Sequence, residues 1–217
     1  MLVLKEAGLV YLSNPKTATQ SLRAILVPHA GATPENTGEK HINAALYARK
    51  WAALLAARLG RPPNTFAVMR EPQDHLGSWY RYRQRDALRG HENATHDVSF
   101  AEFIEAVLTD DPPPFARIGR QARFLGFLHD VPPVDFIFDY ARLDLMMDFL
   151  NKRLGTDLRL PRRNVSPEAA GTALTLPDTL VERLRAVLAV EFALYDKVSG
   201  SGILESETAL SVKGTAS

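Results

Sequence analysis

The chain has 217 residues, of which 46% are hydrophobic and 24% charged, and this is enough for one globular domain with a full core. A formal net charge of +1 argues against general binding to nucleic acids or membranes, because such partners usually go with a marked basic excess. The absence of cysteine from the sequence excludes disulfides, thiolate metal sites and a catalytic thiol.

The first informative segment runs from an apolar strand into a polar turn. Leu9 to Leu12 form a continuous apolar run, which is typical of a strand buried on both faces. Asn14-Pro15 then breaks the strand, and the pattern becomes helical from Thr17 to Leu26. Unpaired backbone N–H groups at a helix N-terminus favour an anion, and Lys16 adds a positive charge at the same place. The segment therefore predicts a cradle for a phosphate group.

A second segment repeats this arrangement of a buried strand followed by a polar turn. Thr65 to Met69 predict the strand, and Arg70 follows it directly. A helix is predicted from Pro72 to about Leu88, since proline suits the first turn of a helix. Ser78 falls on this helix, eight residues after Arg70. A guanidinium and a hydroxyl at this spacing can both donate to one phosphate group.

The remaining predicted elements alternate between helices and strands. They are a loop over 28–40, a helix over 41–59, a helix over 99–108 that starts at a Ser99–Glu102 capping box, a helix over 116–129, a strand over 134–138, and helices over 143–154 and 177–198. This order predicts an α/β fold with three layers, in which a parallel sheet is flanked by helices. Ligands bind at the carboxyl ends of such strands, where Lys16 and Arg70 both fall. We expect one domain over 1–198 and a flexible tail over 199–217.

The two polar turns together resemble the sulfotransferases that use 3′-phosphoadenosine 5′-phosphosulfate (PAPS), in particular their bacterial and carbohydrate-type members. The 5′-phosphosulfate loop of that family begins Pro-Lys-[Ser/Thr]-Gly-Thr, and this chain has Pro15-Lys16-Thr17-Ala18-Thr19-Gln20-Ser21, with Ala18 where the family usually has glycine. An arginine at a strand end and a serine eight residues later bind the 3′-phosphate in the family, as expected here of Arg70 and Ser78. The resemblance covers about residues 8–198 and implies the P-loop-like sulfotransferase fold. The cofactor-binding residues that it implies are Lys16, Thr17, Ala18, Thr19, Gln20, Ser21, Arg70, Ser78, Arg162 and Arg163.

Arg162 and Arg163 belong to a later segment that resembles the family. Leu160-Pro-Arg-Arg-Asn-Val-Ser-Pro167 is similar to the Asn-x-Ser turn that precedes the last helix in many members. The two arginines would then cover the nucleotide. Asn164 and Ser166 also favour an ordinary turn without any ligand, so both interpretations stay open. Gln121 and the segment Phe138-Asp-Tyr-Ala-Arg-Leu143 match family patterns loosely.

Two residues are candidates for catalysis. Lys16 would stabilise the negative charge that develops on the departing phosphate, although a lysine in a turn is also a common surface residue. His41 lies in Lys40-His-Ile-Asn-Ala-Ala45, which resembles a Lys-His-x-x-Ala stretch where the family can have its base. Imidazole has the pKa that suits removal of a hydroxyl proton near neutrality. The alternatives are a surface or capping role for His41, with Glu39 as a second candidate base.

The helix after Arg70 also carries cationic and aromatic side chains. Arg81, Arg85 and Arg89 recur at four-residue intervals. They predict either a cationic wall for an acidic acceptor or a solvated helix face. The aromatic residues Trp79, Tyr80 and Tyr82 predict either stacking on adenine or a sugar, or packing in the core.

The resemblance implies a cytoplasmic enzyme that transfers a sulfuryl group from PAPS to a hydroxyl of a small-molecule or carbohydrate acceptor, with an amine as the second choice. The other product is adenosine 3′,5′-bisphosphate (PAP). No signal sequence or long apolar span is recognisable, and no histidine spacing suggests a metal site. A nucleotide-dependent phosphotransferase stays open as an alternative, although the chain lacks Gly-x-x-x-x-Gly-Lys-[Ser/Thr]. So does a non-catalytic family member that binds PAP.

Overall fold

The computed structural model describes residues 1–30, 41–161 and 174–206. Five strands form one open sheet in the order β1-β2-β3-β4-β5. Their bounds are β1 Leu2–Leu4, β2 Leu9–Tyr11, β3 Asn64–Met69, β4 Phe136–Asp139 and β5 Ile203–Glu205. The central strands β2, β3 and β4 are parallel to one another, whereas β1 and β5 run antiparallel to their neighbours. The chain is therefore α/β with a mixed sheet.

The wholly parallel sheet that the sequence predicted is wrong at both edges, and short connections explain why. Only residues 5–8 separate β1 from β2, and Gly8 adopts a positive φ of 61°, so the two strands form a hairpin and must be antiparallel. At the other edge, Gly202 has a φ of 78° and turns the chain into β5 beside the end of β4. There the Asp139 amide donates to the Gly202 carbonyl at 3.0 Å.

The α-helices of the described residues occupy the connections between these strands. Their bounds are α1 Thr19–Ala30, α2 Ala44–Lys50, α3 Ala52–Leu59, α4 Pro72–Arg83, α5 Phe100–Val107, α6 Gln121–Phe124, α7 Leu143–Leu154, α8 Asp178–Val187 and α9 Ala189–Ser201. The capping box of Ser99 and Glu102 is present at the start of α5. The left-handed Gly155 ends α7, as predicted. Among the described residues, no helix combines the length and the apolar character needed to cross a bilayer.

Four helical predictions need correction. The helices over 41–59 and 177–198 are each two helices, because Trp51 and Leu188 have non-helical backbone angles. The helix after Arg70 ends at Arg83 and is followed by a short 3₁₀ turn, Asp86–Leu88. The helix over 116–129 is reduced to α6, and Gly126, with a φ of 99°, packs so closely that a Cβ would lie 2.9 Å from the Pro133 Cα.

The last prediction to correct is the loose tail. Residues 199–201 end α9, and residues 203–205 form β5 in the sheet. The rest of the predicted tail, 207–217, lies outside the described residues.

Hydrophobic residues cover both faces of the sheet, which gives the three layers that the sequence predicted. One face carries Leu9 and Tyr11 and is covered by α1 and α7. The other face carries Val10 and Ala67 and is covered by α2, α3, α6 and α9. A further cluster joins α4 and α5 to α8 and to the start of α9. This packing fixes α1 and α4, the helices that follow β2 and β3, against the carboxyl ends of these strands.

Candidate anion-binding site

The loop between β2 and α1 is held by its own hydrogen bonds. The hydroxyls of Thr17 and Thr19 both donate to the Asn14 carbonyl, each at 2.8 Å. Lys16 and Ala18 adopt positive φ angles of 64° and 57°. Left-handed residues in a turn direct backbone N–H groups into a concave surface, which is an arrangement that binds anions. The loop therefore has a backbone form that suits an anion.

Ala18 keeps the conformation that glycine would favour. The left-handed region costs a residue with a Cβ roughly 1–2 kcal/mol, and glycine is free of this cost. The φ of Ala18 is 57°, which lies in the left-handed region. The alanine therefore strains the loop at this turn.

A buried glutamine connects this loop to the end of β3. Asn14 Nδ2 donates to the Gln121 Oε1 at 3.1 Å, and the same oxygen accepts from the Arg70 amide at 3.0 Å. Gln121 Nε2 in turn donates to the Arg70 carbonyl at 2.8 Å. Asn14 also donates to the Val68 carbonyl at 3.0 Å. One side chain at the start of α6 thus fixes the two polar turns relative to each other.

The Arg70 guanidinium lies against the Lys16 loop. Arg70 Nη1 donates to the Lys16 carbonyl at 3.3 Å, and the guanidinium carbon is 4.4 Å from the centre of the Tyr140 ring. Asp74, in the first turn of α4, accepts from Arg70 Nε at 2.5 Å and from Nη2 at 2.9 Å. Arg81 also lies 3.7 Å from Asp74. An incoming phosphate would therefore compete with Asp74 for this guanidinium.

The Lys16 ammonium lies among aromatic and cationic groups. Its Nζ is 4.3 Å from the centre of the Tyr82 ring and 5.7 Å from that of Trp79. Burial and three nearby guanidinium groups lower the pKa of Lys16 to about 8, and these groups belong to Arg85, Arg70 and Arg81. The side chain stays mainly protonated at neutral pH. An anion bound nearby would stabilise this charge.

His41 lies beside the end of β2 with a defined tautomer. Its Nδ1 is 2.7 Å from the Ser13 carbonyl oxygen, and a carbonyl can only accept, so Nδ1 carries the proton. In the neutral ring the lone pair is then at Nε2, the arrangement that a general base needs. The neutral ring of His41 therefore has the tautomer required of the predicted base.

His75, on α4, forms a hydrogen bond to the backbone of the anion loop. The side chain is 4% exposed, and its Nε2 donates to the Pro15 carbonyl at 3.2 Å. Burial lowers the pKa of His75 to about 4, so the ring is neutral at physiological pH. Because His75 is buried and bonds to the loop backbone, we assign it a structural role in holding the loop and no direct contact with a ligand.

The other predicted site residues differ in their exposure, and some of them lie outside the described residues. Ser78 lies on α4, half-buried and one turn after Asp74, on the same side of the helix. In the first turn of α1, Gln20 is exposed and Ser21 is buried. Glu39, Arg162 and Arg163 lie outside the described residues. The sequence did not single out Asn14 or Asp74 for a site role, because their importance comes from contacts between separate elements. Tyr140 entered only as part of the segment 138–143, which matches family patterns loosely.

Comparison with protein-family models, with curated proteins and with solved structures gives no match to this chain. The resemblance of the two polar turns to the sulfotransferases therefore stays an interpretation of short segments. The geometry around these turns is what bears on function. It joins a concave backbone loop, a lysine and an arginine at the ends of two neighbouring parallel strands.

Proposed function

We propose that the chain is a cytoplasmic, metal-independent sulfotransferase that moves a sulfuryl group from PAPS to a hydroxyl of a small-molecule or carbohydrate acceptor, with an amine as the second choice. The observation that carries the proposal is the 3.3 Å contact between Arg70 Nη1 and the Lys16 carbonyl. This contact joins Arg70 to the backbone of the lysine's loop, and Arg70 is also close enough to the Lys16 ammonium to lower its pKa. A nucleotide with separate anionic groups on its 5′ and 3′ oxygens needs such a pair.

Each group then has a defined part in binding. The loop from Lys16 to Ser21 would hold the 5′-phosphosulfate through its backbone N–H groups and the Lys16 ammonium. Arg70 would hold the 3′-phosphate through paired N–H donors, with Ser78 as a further donor on the same helix. The hydrogen bonds of the Gln121 side-chain amide to Asn14 and Arg70 keep the Lys16 loop and Arg70 at a constant separation. Such preorganisation limits the entropy lost when the donor binds.

The chemical step divides between His41 and Lys16. His41 Nε2 takes the proton of the acceptor hydroxyl while the hydroxyl oxygen forms its bond to sulfur. The bond between sulfur and the bridging oxygen breaks, and its electron pair stays on the departing 5′-phosphate. Lys16 Nζ and the loop N–H groups stabilise this new charge, which is the part of the reaction that fixed dipoles and cations accelerate most.

Calorimetric titration of the whole protein tests the donor assignment. We expect PAP to bind more tightly than ATP, and more tightly than adenosine 5′-phosphosulfate, which lacks the 3′-phosphate. Arg70→Ala should weaken PAP by about a hundredfold, since a bidentate charged contact is lost, and should leave adenosine 5′-phosphosulfate nearly unchanged. Asp74→Asn, which removes the competing carboxylate, should tighten PAP. Equal losses for both nucleotides in Arg70→Ala would show that the 3′-phosphate lies elsewhere, and a preference for ATP would favour the phosphotransferase.

Turnover assays then separate an enzyme from a binding protein. Lys16→Ala and His41→Ala should each abolish the formation of sulfated product from PAPS, and His41→Ala should keep the PAP affinity of the wild type. Arg89→Ala is the matched control, because Arg89 is exposed and its charge is paired with Asp86 at 3.2 Å. PAP binding by the wild type without any sulfated product across a broad acceptor panel would identify the non-catalytic alternative.

A further inference from the structure

A small cavity lies between α4, the end of α5, the start of α6 and the junction of α8 and α9, with a volume of about 50 Å³. Val107 and Leu188 form part of its apolar wall. Gly119 and Arg120 also line the cavity and are exposed, so it opens to solvent at these two residues. A bound water needs roughly 10–15 Å³ of such a volume, and the cavity is therefore large enough for a small organic group.

A buried carboxylate in the lining of this cavity uses only one of its oxygens. Glu191, on α9, is 3% exposed, and its Oε2 accepts from Arg120 Nη1 at 3.2 Å. Its Oε1 is buried and has no hydrogen-bond partner in the described part of the chain. A buried charged oxygen without a donor costs free energy, and a ligand that donates to it recovers this cost. The cavity therefore favours a ligand with hydrogen-bond donors.

His75 adds a second acceptor to the same lining. Its Nε2 donates to the Pro15 carbonyl, so Nδ1 of the neutral ring carries the lone pair. An ammonium group has three donors and no acceptor, and it can therefore serve Glu191 Oε1 and His75 Nδ1 together. A hydroxyl has a single donor and can serve only one of them. The polar groups of the cavity thus suit an ammonium group best.

The cavity is also in contact with side chains that hold the anion loop. His75 donates to the Pro15 carbonyl at 3.2 Å, and Gln121, which lines the cavity as well, joins Asn14 to Arg70. A cation at His75 Nδ1 strengthens the bond from Nε2 to the Pro15 carbonyl, because linked hydrogen bonds polarise one another. Of the described residues assigned above to PAPS or to catalysis, none lines the cavity. A ligand there would act on the loop without occupying it.

We propose that the cavity binds a small primary amine in its protonated form, and that this ligand is an effector of the anion loop. Its ammonium group pairs with Glu191 and His75, and its short alkyl chain lies against Val107 and Leu188. Arg120 is not displaced, because it uses the other oxygen of the carboxylate. Binding of the amine does not depend on the proposed sulfuryl transfer.

The test compares ethylammonium chloride with ethanol, which has a similar size and shape but no charge. Each is titrated against the whole protein by heteronuclear NMR at constant ionic strength and neutral pH, where the amine is protonated. We expect ethylammonium to bind at least about tenfold more tightly than ethanol, as one charge-assisted contact provides. The Lys16 amide signal should shift as ethylammonium binds, because this amide belongs to the peptide whose carbonyl accepts from His75.

Two variants locate the binding. Glu191→Gln should remove the preference for ethylammonium, whereas Glu182→Gln, at an exposed position of α8, should keep it. Val107→Phe, which makes the cavity smaller, should weaken both ligands and provides the test if Glu191→Gln does not fold. Equal affinities of the wild type for the two ligands would overturn the inference, as would no binding of either or full ethylammonium affinity in both Glu191→Gln and Val107→Phe.

The effector role has its own readout. Saturating ethylammonium should tighten PAP by about fivefold in calorimetry, at the low end of the usual coupling between two sites. An unchanged Lys16 amide signal together with an unchanged PAP affinity would refute this role. A protein that binds ethylammonium through Glu191 and shifts the Lys16 signal but binds no PAP would refute the proposed function and not the amine site.

Discussion

Ala18 is strained in the anion loop because an L-residue with a Cβ rarely adopts its φ of 57°. Ala18→Gly should relieve this strain, and part of the gain is offset by the greater freedom of glycine in the unfolded chain. We expect a net increase of about 1 kcal/mol in the free energy of unfolding, measured with urea. Ala24→Gly is the matched control, since Ala24 is exposed within α1 and the change should there cost about 1 kcal/mol. A loss of stability in both variants would contradict the strain at Ala18.

The buried ring of His75 makes the stability of the fold sensitive to acid. Burial lowers its pKa from 6.5 to about 4, so the unfolded chain takes up a proton as the pH falls below 6.5 while the folded protein does not. Stability from this group is therefore fully present above pH 6.5 and is lost as the pH falls. Between pH 7 and pH 5 the loss should be about 2 kcal/mol.

The measurement is urea unfolding of the wild type and of His75→Gln at both pH values. Glutamine can still donate to the Pro15 carbonyl but does not titrate. The variant should lose about 2 kcal/mol less than the wild type on acidification. The contribution of His75 is this difference between the two proteins, since the other titrating groups are common to both. Identical losses would mean that the ring is protonated in the fold at pH 5.

Among the secondary structure elements, α6 has the largest influence on the site relative to its length. It is only Gln121–Phe124, yet Gln121 connects the ends of β2 and β3. Gln121→Met keeps the volume of the side chain but removes three hydrogen bonds, one from Asn14 Nδ2 and one each at the Arg70 amide and carbonyl, while Asn14 keeps its bond to the Val68 carbonyl. Each lost hydrogen bond in this buried network costs about 1 kcal/mol, so we expect a loss of about 3 kcal/mol in the free energy of unfolding.

Gln121→Met should also lower the affinity for PAP, because the Lys16 loop and Arg70 are no longer joined by hydrogen bonds. Calorimetry at a temperature where the protein is folded measures this affinity. Gln73→Met, at a half-buried position on α4, is the control and should change neither quantity by more than about 0.5 kcal/mol. Normal PAP affinity in Gln121→Met would show that the strand ends are fixed without the amide.

Elements with strong local signals could be predicted from the sequence. The apolar runs gave β2 and β3 closely, and Gly155 marked the end of α7. Breaks within helices could not be predicted, since Trp51 and Leu188 are compatible with a helix and only their tertiary setting takes them out of it. The short strand β5 lies in a region rich in serine and glycine, and its structure comes from pairing with β4.

At the scale of the whole molecule, the sequence placed Lys16 and Arg70 at one edge of the sheet because both follow parallel strands. Their separation, the pairing of Arg70 with Asp74 and the contact of Lys16 with Tyr82 depend on side chains from α4, whose position is set by packing against α5, α8 and α9. A single sequence carries no direct signal for such contacts. Residue types in the site were therefore predictable, whereas their partners were not.

The strands β1 and β5 form the two edges of the described sheet. Because β5 pairs with the central strand β4, we expect its side chains to contribute to the stability of the entire fold. Ile203 and Leu204 pair with Phe138 and Ile137 and pack on opposite faces of the sheet. The double change to alanine should lower the free energy of unfolding by about 3 kcal/mol, since two half-buried aliphatic side chains are removed. Val190→Ala, at an aliphatic residue of α9 that is 46% exposed, should cost less than about 0.5 kcal/mol. Urea unfolding measures all three proteins, and an unchanged double variant would mean that β5 is not part of the folded sheet.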